Sequence, residues 1–236
     1  MAGENLRHFC VVVSSTMQDS NDKAALLNEA QWMPGDVILV KFTEGDETLR
    51  DRVRAVAERW IGPGMAQLTF EWVEDDAYAD IRVAFFEGDG SWSYLGTQCR
   101  DVPEDEPTMN YGWIDANSSD DEVQRVVLHE FGHALGLTHD HQNPKGGMDW
   151  NEPAVIADLS GPPNSWTEEQ IRHNVFDHYA PDAVTGTAVD ADSIFMYPIP
   201  AAWTNDGFSA DLNPDLSERD KQLVRDVYPA STWTAG

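Results

Sequence analysis

Basic side chains are scarce in this sequence: 15 Lys and Arg stand against 42 Asp and Glu, a formal net charge of −27. A surface this negative repels phosphate backbones and anionic lipid, which argues against nucleic-acid and membrane-surface binding. Long apolar runs are also missing. Nothing approaches the roughly 18 consecutive apolar residues of a membrane span, and the run from Phe9 to Val13 is too short for a signal-peptide core. Cysteine is confined to Cys10 and Cys99, which suit either one disulfide or two separate thiols. There is no internal repeat and no low-complexity tract. What remains is ordinary globular material: 236 residues, 41% hydrophobic and 10% aromatic, enough to bury a core.

Residues 1–34 read as an N-terminal extension, closed by Pro34 and Gly35. Residues 36–42 read as a buried strand. Leu49, Val53, Val56 and Trp60 keep helical spacing over 46–60, and the helix stops at the Gly-Pro-Gly of 62–64. Residues 67–73 and 79–86 alternate apolar and polar side chains, as half-buried strands do. Short strands follow near 91–97 and 108–114. Ser119 with Glu122 forms a capping box for a second helix that Gly136 ends. After His139 the chain reads as mostly irregular to about residue 192, interrupted by one helix over 165–179. A last helix over 217–228 is opened by Ser217 and Asp220, with Leu216, Leu223, Val224 and Val227 facing the core.

Seven histidines occur in all, and four of them, His129, His133, His139 and His141, fall within the stretch RVVLHEFGHALGLTHDHQNP. His129 and His133 are one helical turn apart, so both imidazoles lie on one face and can share an ion. Glu130 sits beside the first of them, placed to reach a water on that ion without being a ligand. This is H-E-x-x-H, a zinc-hydrolase signature. Gly136 breaks the helix and lets the chain swing back, so that His139 supplies a third nitrogen. The full string is H-E-x-x-H-x-x-G-x-x-H. Three neutral histidines leave a tetrahedral zinc one open position, which distinguishes a catalytic from a structural site. His141 lies outside the string and reads as a neighbour of the ligands or a surface residue; His8, His173 and His178 read as ordinary. No serine or cysteine nucleophile is paired with a histidine at useful spacing.

The string, followed by Asp140, His141 and Gln142, resembles the metzincin metallopeptidases and, within them, the astacin-like branch. Residues 91–97 and 108–113 resemble the strands before that family's zinc helix, SIFMYPIP (193–200) is similar to its methionine-containing turn, and 216–229 resembles its final helix. The resemblance implies an α+β, two-lobed catalytic domain over 35–236. Its N-terminal lobe (about 35–138) would hold a mixed, mostly parallel sheet and the zinc helix, and its C-terminal lobe (about 139–236) would be irregular with a final helix. It implies a secreted, monomeric zinc endopeptidase acting on protein or peptide substrates. Zinc would be held by His129, His133 and His139, with Glu130 as general base and Tyr197 stabilising the transition state. A zinc hydrolase of another amide or ester, or a silent zinc-binding module, are the competing readings.

One departure from the family pattern leaves a choice. Phe195 stands where the turn's methionine is expected and Met196 one place later, so either forms the floor under the ligands. Asp140 matches a residue that in the family anchors a trimmed N-terminus. Cys10 would suit the open zinc position as a latency thiolate. Residues 79–86, or the loop after them, would offer the sheet edge to an extended peptide. Oxygen clusters at 87–91 and 115–121 would suit a structural calcium, although neither has a D-x-D-x-D-G loop.

Overall fold

Residues Val37–Phe42 (β2) bury Ile38, Val40 and Phe42 on one face, the two-residue repeat of a strand packed on a core. The computed structural model of the chain describes residues 11–13, 30–143, 147–162, 164–178 and 189–230. Around β2 a six-stranded sheet assembles from β1 (Val11–Val13), β3 (Thr69–Trp72), β4 (Ile81–Ala84), β5 (Ser91–Tyr94) and β6 (Met109–Tyr111). The strand order is β1-β5-β6-β4-β2-β3. All neighbours run parallel except β5 and β6, which are antiparallel with Trp92 opposite Asn110.

The helix α1 (Glu47–Ala57) starts where Asp46 accepts the Thr48 N–H and buries Leu49, Val53 and Ala57. A short 3₁₀ turn then carries Trp60 into the core, where its indole donates to Leu128 O at 3.0 Å. The helix α2 (Asp120–Ala134) packs against α1 and β5. From Val126 to Ala134 every residue of α2 is buried, so this half of the helix is enclosed on all sides and its polar residues are enclosed with it. Trp32 packs in the same cluster and donates to Ala134 O at 2.8 Å.

β4 departs from the half-buried strand expected of residues 79–86: all four of its residues are buried, Arg82 at 2% exposure. It lies between β2 and β6, so it is no sheet edge. A guanidinium is tolerated there because the surrounding peptide groups solvate it. It donates to the carbonyls of Ala79, Val102, Pro103 and Glu106 at 2.6–3.0 Å, and more distantly to Asp80 O. The acidic loop 101–107 is thereby latched onto the sheet. The outer edge of β5 is taken by β1.

The second half also differs from expectation. A helix α3 (Glu152–Leu159) forms where none was expected. Pro153 lies in its first turn, a position that requires no N–H, and Val155 and Leu159, four apart, are buried. The helix expected over 165–179 shrinks to α4 (Glu168–Ile171), capped by a Thr167–Gln170 box, and continues as a π-helical turn over Arg172–Phe176. The last helix, α5 (Glu218–Val227), keeps the Ser217–Asp220 capping box. Two apolar clusters result. One lies between the sheet and α1, α2 and α5; the other gathers Val155, Leu159, Ile171, Val175, Met196, Tyr197, Ile199 and Trp203.

Replacing Arg82 by Met fills similar volume but leaves several buried carbonyls without a donor. At about 1–3 kcal/mol for each stranded group, the variant should lose roughly 3–5 kcal/mol. This is read as a lower urea midpoint at unchanged slope.

Candidate metal centre

α2 ends in a Schellman motif. Gly136, at φ +88°, donates to His133 O at 2.7 Å, and Leu137 N reaches back to Gly132 O at 3.0 Å. Only a residue at ease in the left-handed region reverses the chain this tightly. The reversal has two effects on the site. It presents Leu137 O to His133 Nδ1 at 2.7 Å, and it returns the chain so that His139 faces the helix it has just left.

The three imidazoles converge. The Nε2 atoms of His129 and His133 are 2.9 Å apart, and each lies 3.2 Å from His139 Nε2. His129 Nδ1 meets Ile194 O at 2.8 Å. A carbonyl can only accept, so the ring proton of His129 and of His133 sits on Nδ1 and their Nε2 lone pairs are bare. Gln142 hydrogen-bonds the third ring, His139, while its own amide donates to His173 O at 2.8 Å. Among the described residues these three are the group of His, Cys, Asp or Glu that could hold a metal ion. The fit is good: an ion about 2.0–2.1 Å from each nitrogen in tetrahedral geometry separates them by about 3.3 Å.

Burial holds the rings neutral. It drives the pKa of His129 and His139 well below the usual histidine value and that of His133 to about 4. Glu130, one residue on from the first ring, is fully buried. Tyr197 is buried with its ring 4.5 Å from His139 and 4.3 Å from His141. His141 is fully buried rather than on the surface, and its Nε2 donates to Asn174 O in the π-helical turn at 2.9 Å. The choice between Phe195 and Met196 is resolved. The Phe195 ring centroid lies 5.4 Å from both His129 and His133, whereas Met196 packs in the other cluster. Phe195 comes so close that a Cβ on Gly132 would overlap its ring and press on Trp60.

Other expectations find different places. Asp140 is half-buried, accepts the Asp190 N–H, and is pushed up to about 6 chiefly by burial. Cys99 is a buried free thiol raised to about 12 by burial, while Cys10 and His8 lie outside the described residues. Asp115, in one proposed calcium cluster, accepts from Asn117 N and Ser118 Oγ of its own loop, and calcium gains no support. Sequence reasoning overlooked Ser193 and gave Asp220 only a capping role. Asp220 in fact also accepts from Ser193 Oγ and Ile194 N, at 2.7 and 2.9 Å. The one signal available was a polar residue opening an otherwise apolar turn.

A mixed, mostly parallel sheet over an enclosed helix, with two imidazoles on that helix and a third on the chain returning from it, defines a metzincin-like fold. The structure of myroilysin superposes with a TM-score of 0.83 at 40% identity, covering 87% of this chain and 98% of that one. A crystal structure of myroilysin gives a TM-score of 0.68 at 38% identity, covering 96% and 93%. No protein-family model matches the sequence, and no curated protein matches it. The chain belongs to the myroilysin family.

Four buried histidines, His129, His133, His139 and His141, have pKa values depressed below their unfolded value. Below about pH 6.5 the unfolded chain therefore binds more protons at these sites, and stability falls on acidification. Asp140 and Asp220, both raised by burial, act in the opposite sense but are two groups against four. The melting temperature of the metal-free chain should drop steadily from pH 7 to pH 5. Gly132→Ala should destabilise by about 1–3 kcal/mol through overpacking, although helix propensity alone favours Ala by about 1 kcal/mol. A stabilised variant would show that Phe195 yields freely.

Proposed function

We propose that this protein is a zinc-dependent endopeptidase, astacin-like in its details, secreted and monomeric, that hydrolyses peptide bonds in proteins. The observation that carries the reading is the triangle of Nε2 atoms 2.9–3.2 Å apart, two of them stripped of protons by carbonyls bonded at Nδ1. Kinship with myroilysin supports a peptidase. Three neutral nitrogen ligands suit zinc and leave one coordination position for chemistry.

When bound, zinc supplies a Lewis acid that brings a water's pKa to about 7 and polarises a carbonyl. His129, His133 and His139 hold the ion. Glu130, carried on α2 beside the first ligand, takes the proton from the attacking water and returns it to the departing amine. The Tyr197 hydroxyl donates to the oxyanion as the carbonyl becomes tetrahedral. Phe195 seals the floor beneath two of the rings, keeping water from that side. The formal net charge of −27 favours approach of basic substrates.

Cleavage of casein by the purified protein should stop with a zinc chelator and return on adding zinc. Glu130→Gln should keep zinc at one equivalent and lose at least about 100-fold in kcat. Turnover close to wild type in that variant would remove Glu130 from the reaction. Cleavage of small amides or esters but of no protein would move the enzyme to another substrate class.

A further inference from the structure

Asp220 is 4% exposed, and its carboxylate takes its hydrogen bonds from neutral donors. Capping α5 needs one of them, from Ser217 N at 2.9 Å. The others point away from the helix and into the turn under the histidines: Ser193 Oγ–H donates at 2.7 Å and Ile194 N–H at 2.9 Å. The Ser193 oxygen in turn accepts the Phe195 N–H at 3.0 Å. That N–H shares a peptide group with Ile194 C=O, the acceptor of His129 Nδ1–H at 2.8 Å.

A continuous path of three hydrogen bonds therefore joins a buried carboxylate to the first imidazole of the centre. It passes through one hydroxyl and one peptide group, and every link is polarised in the same sense. The negative charge strengthens Ser193 as an acceptor. The peptide N–H it accepts makes the Ile194 carbonyl more negative, and that carbonyl draws harder on the His129 proton. Such chains reinforce one another in a low-dielectric interior, and partners on the far nitrogen of a metal-binding histidine set its orientation and basicity.

We propose that Asp220 and Ser193 are positioning residues for His129, forming a carboxylate–hydroxyl–peptide relay that orients the ring and raises the affinity of its Nε2 for a metal ion. The proposal rests on the reading of the three imidazoles as a zinc centre. It assigns the last helix a part in that centre although it contributes no ligand.

The test is the zinc dissociation constant, measured by competition with a chromophoric chelator, for the wild type, Ser193→Ala, Asp220→Asn and the double variant. Each single variant should bind zinc about 10- to 100-fold more weakly. The double variant should be no worse than the weaker single, because both break one path. Ser193→Thr, which keeps the hydroxyl, should restore wild-type affinity, and the visible bands of the cobalt-substituted protein should shift in Ser193→Ala but not in Ser193→Thr. If Asp220→Asn fails to fold, Ser193→Ala carries the test alone, since it leaves the α5 cap untouched. Variants that lose thermal stability without zinc, yet bind zinc as the wild type does, would overturn the relay and leave the zinc reading standing. Strictly additive losses would also overturn it. A wild-type chain that takes up no zinc would remove both.

Discussion

Two bare imidazole lone pairs 2.9 Å apart, with a third ring nitrogen 3.2 Å from each, call for a cation among them. The architecture around them can be understood as the means of imposing that arrangement. The rings are kept uncharged by burial, and two of them are turned inward by carbonyls that claim their outer protons. Two of them are fixed on a helix whose last two turns are buried, and the third on the chain that returns from it. The two carbonyls come from different sources. One is on the return of the chain past Gly136, local to the helix; the other is on a turn some 60 residues later. A local motif places two rings, and tertiary structure orients the first of them.

That later turn joins the two apolar clusters. Ile194 and Phe195 belong to the core beneath the sheet, and Met196 and Tyr197 to the core of the C-terminal half. The chain passes from one to the other between residues 195 and 196, directly against the histidines. Tyr197 arrives beside His139 and His141 because the residues before it are committed to the opposite side. His141 and Gln142 bind the same half from the other direction, donating to successive carbonyls of the π-helical turn, Asn174 and His173. These are among the last carbonyls of the turn, which a helix end leaves without an intrahelical donor, and the histidine loop docks there.

Much of the centre was legible in the sequence because it is written locally. One helical turn separates His129 from His133, Ser119 caps the helix by accepting the Glu122 N–H, and Gly136 permits the reversal that returns His139. Each of these depends on spacing alone. The Glu122 carboxylate turns to Trp113 and Arg125 instead of completing a capping box. What was hidden depends on partners distant in the chain. β4 looked amphipathic because Arg82 interrupts its apolar residues; nothing nearby announces that loop 101–107 would fold over to solvate the guanidinium. α3 escaped notice for want of a long apolar stripe. The floor residue was ambiguous because Phe195 and Met196 are both apolar, and only the packing of two separate cores assigns them. Asp220 looked like a cap, and is one, but its remaining lone pairs are engaged 26 and 27 residues away.

Arg82 carries a wider implication. In a chain with 42 acidic residues, its deeply buried guanidinium directs all of its hydrogen bonds to peptide oxygens. Amide oxygens do not titrate in the range where carboxylates do, and they have no mobile counterion to exchange. Conditions that dissolve the surface ion pairs, whether acid or brine, leave this fastening intact. The hold of this guanidinium on the sheet thus rests on dipoles and shape, apart from the crowded charge outside.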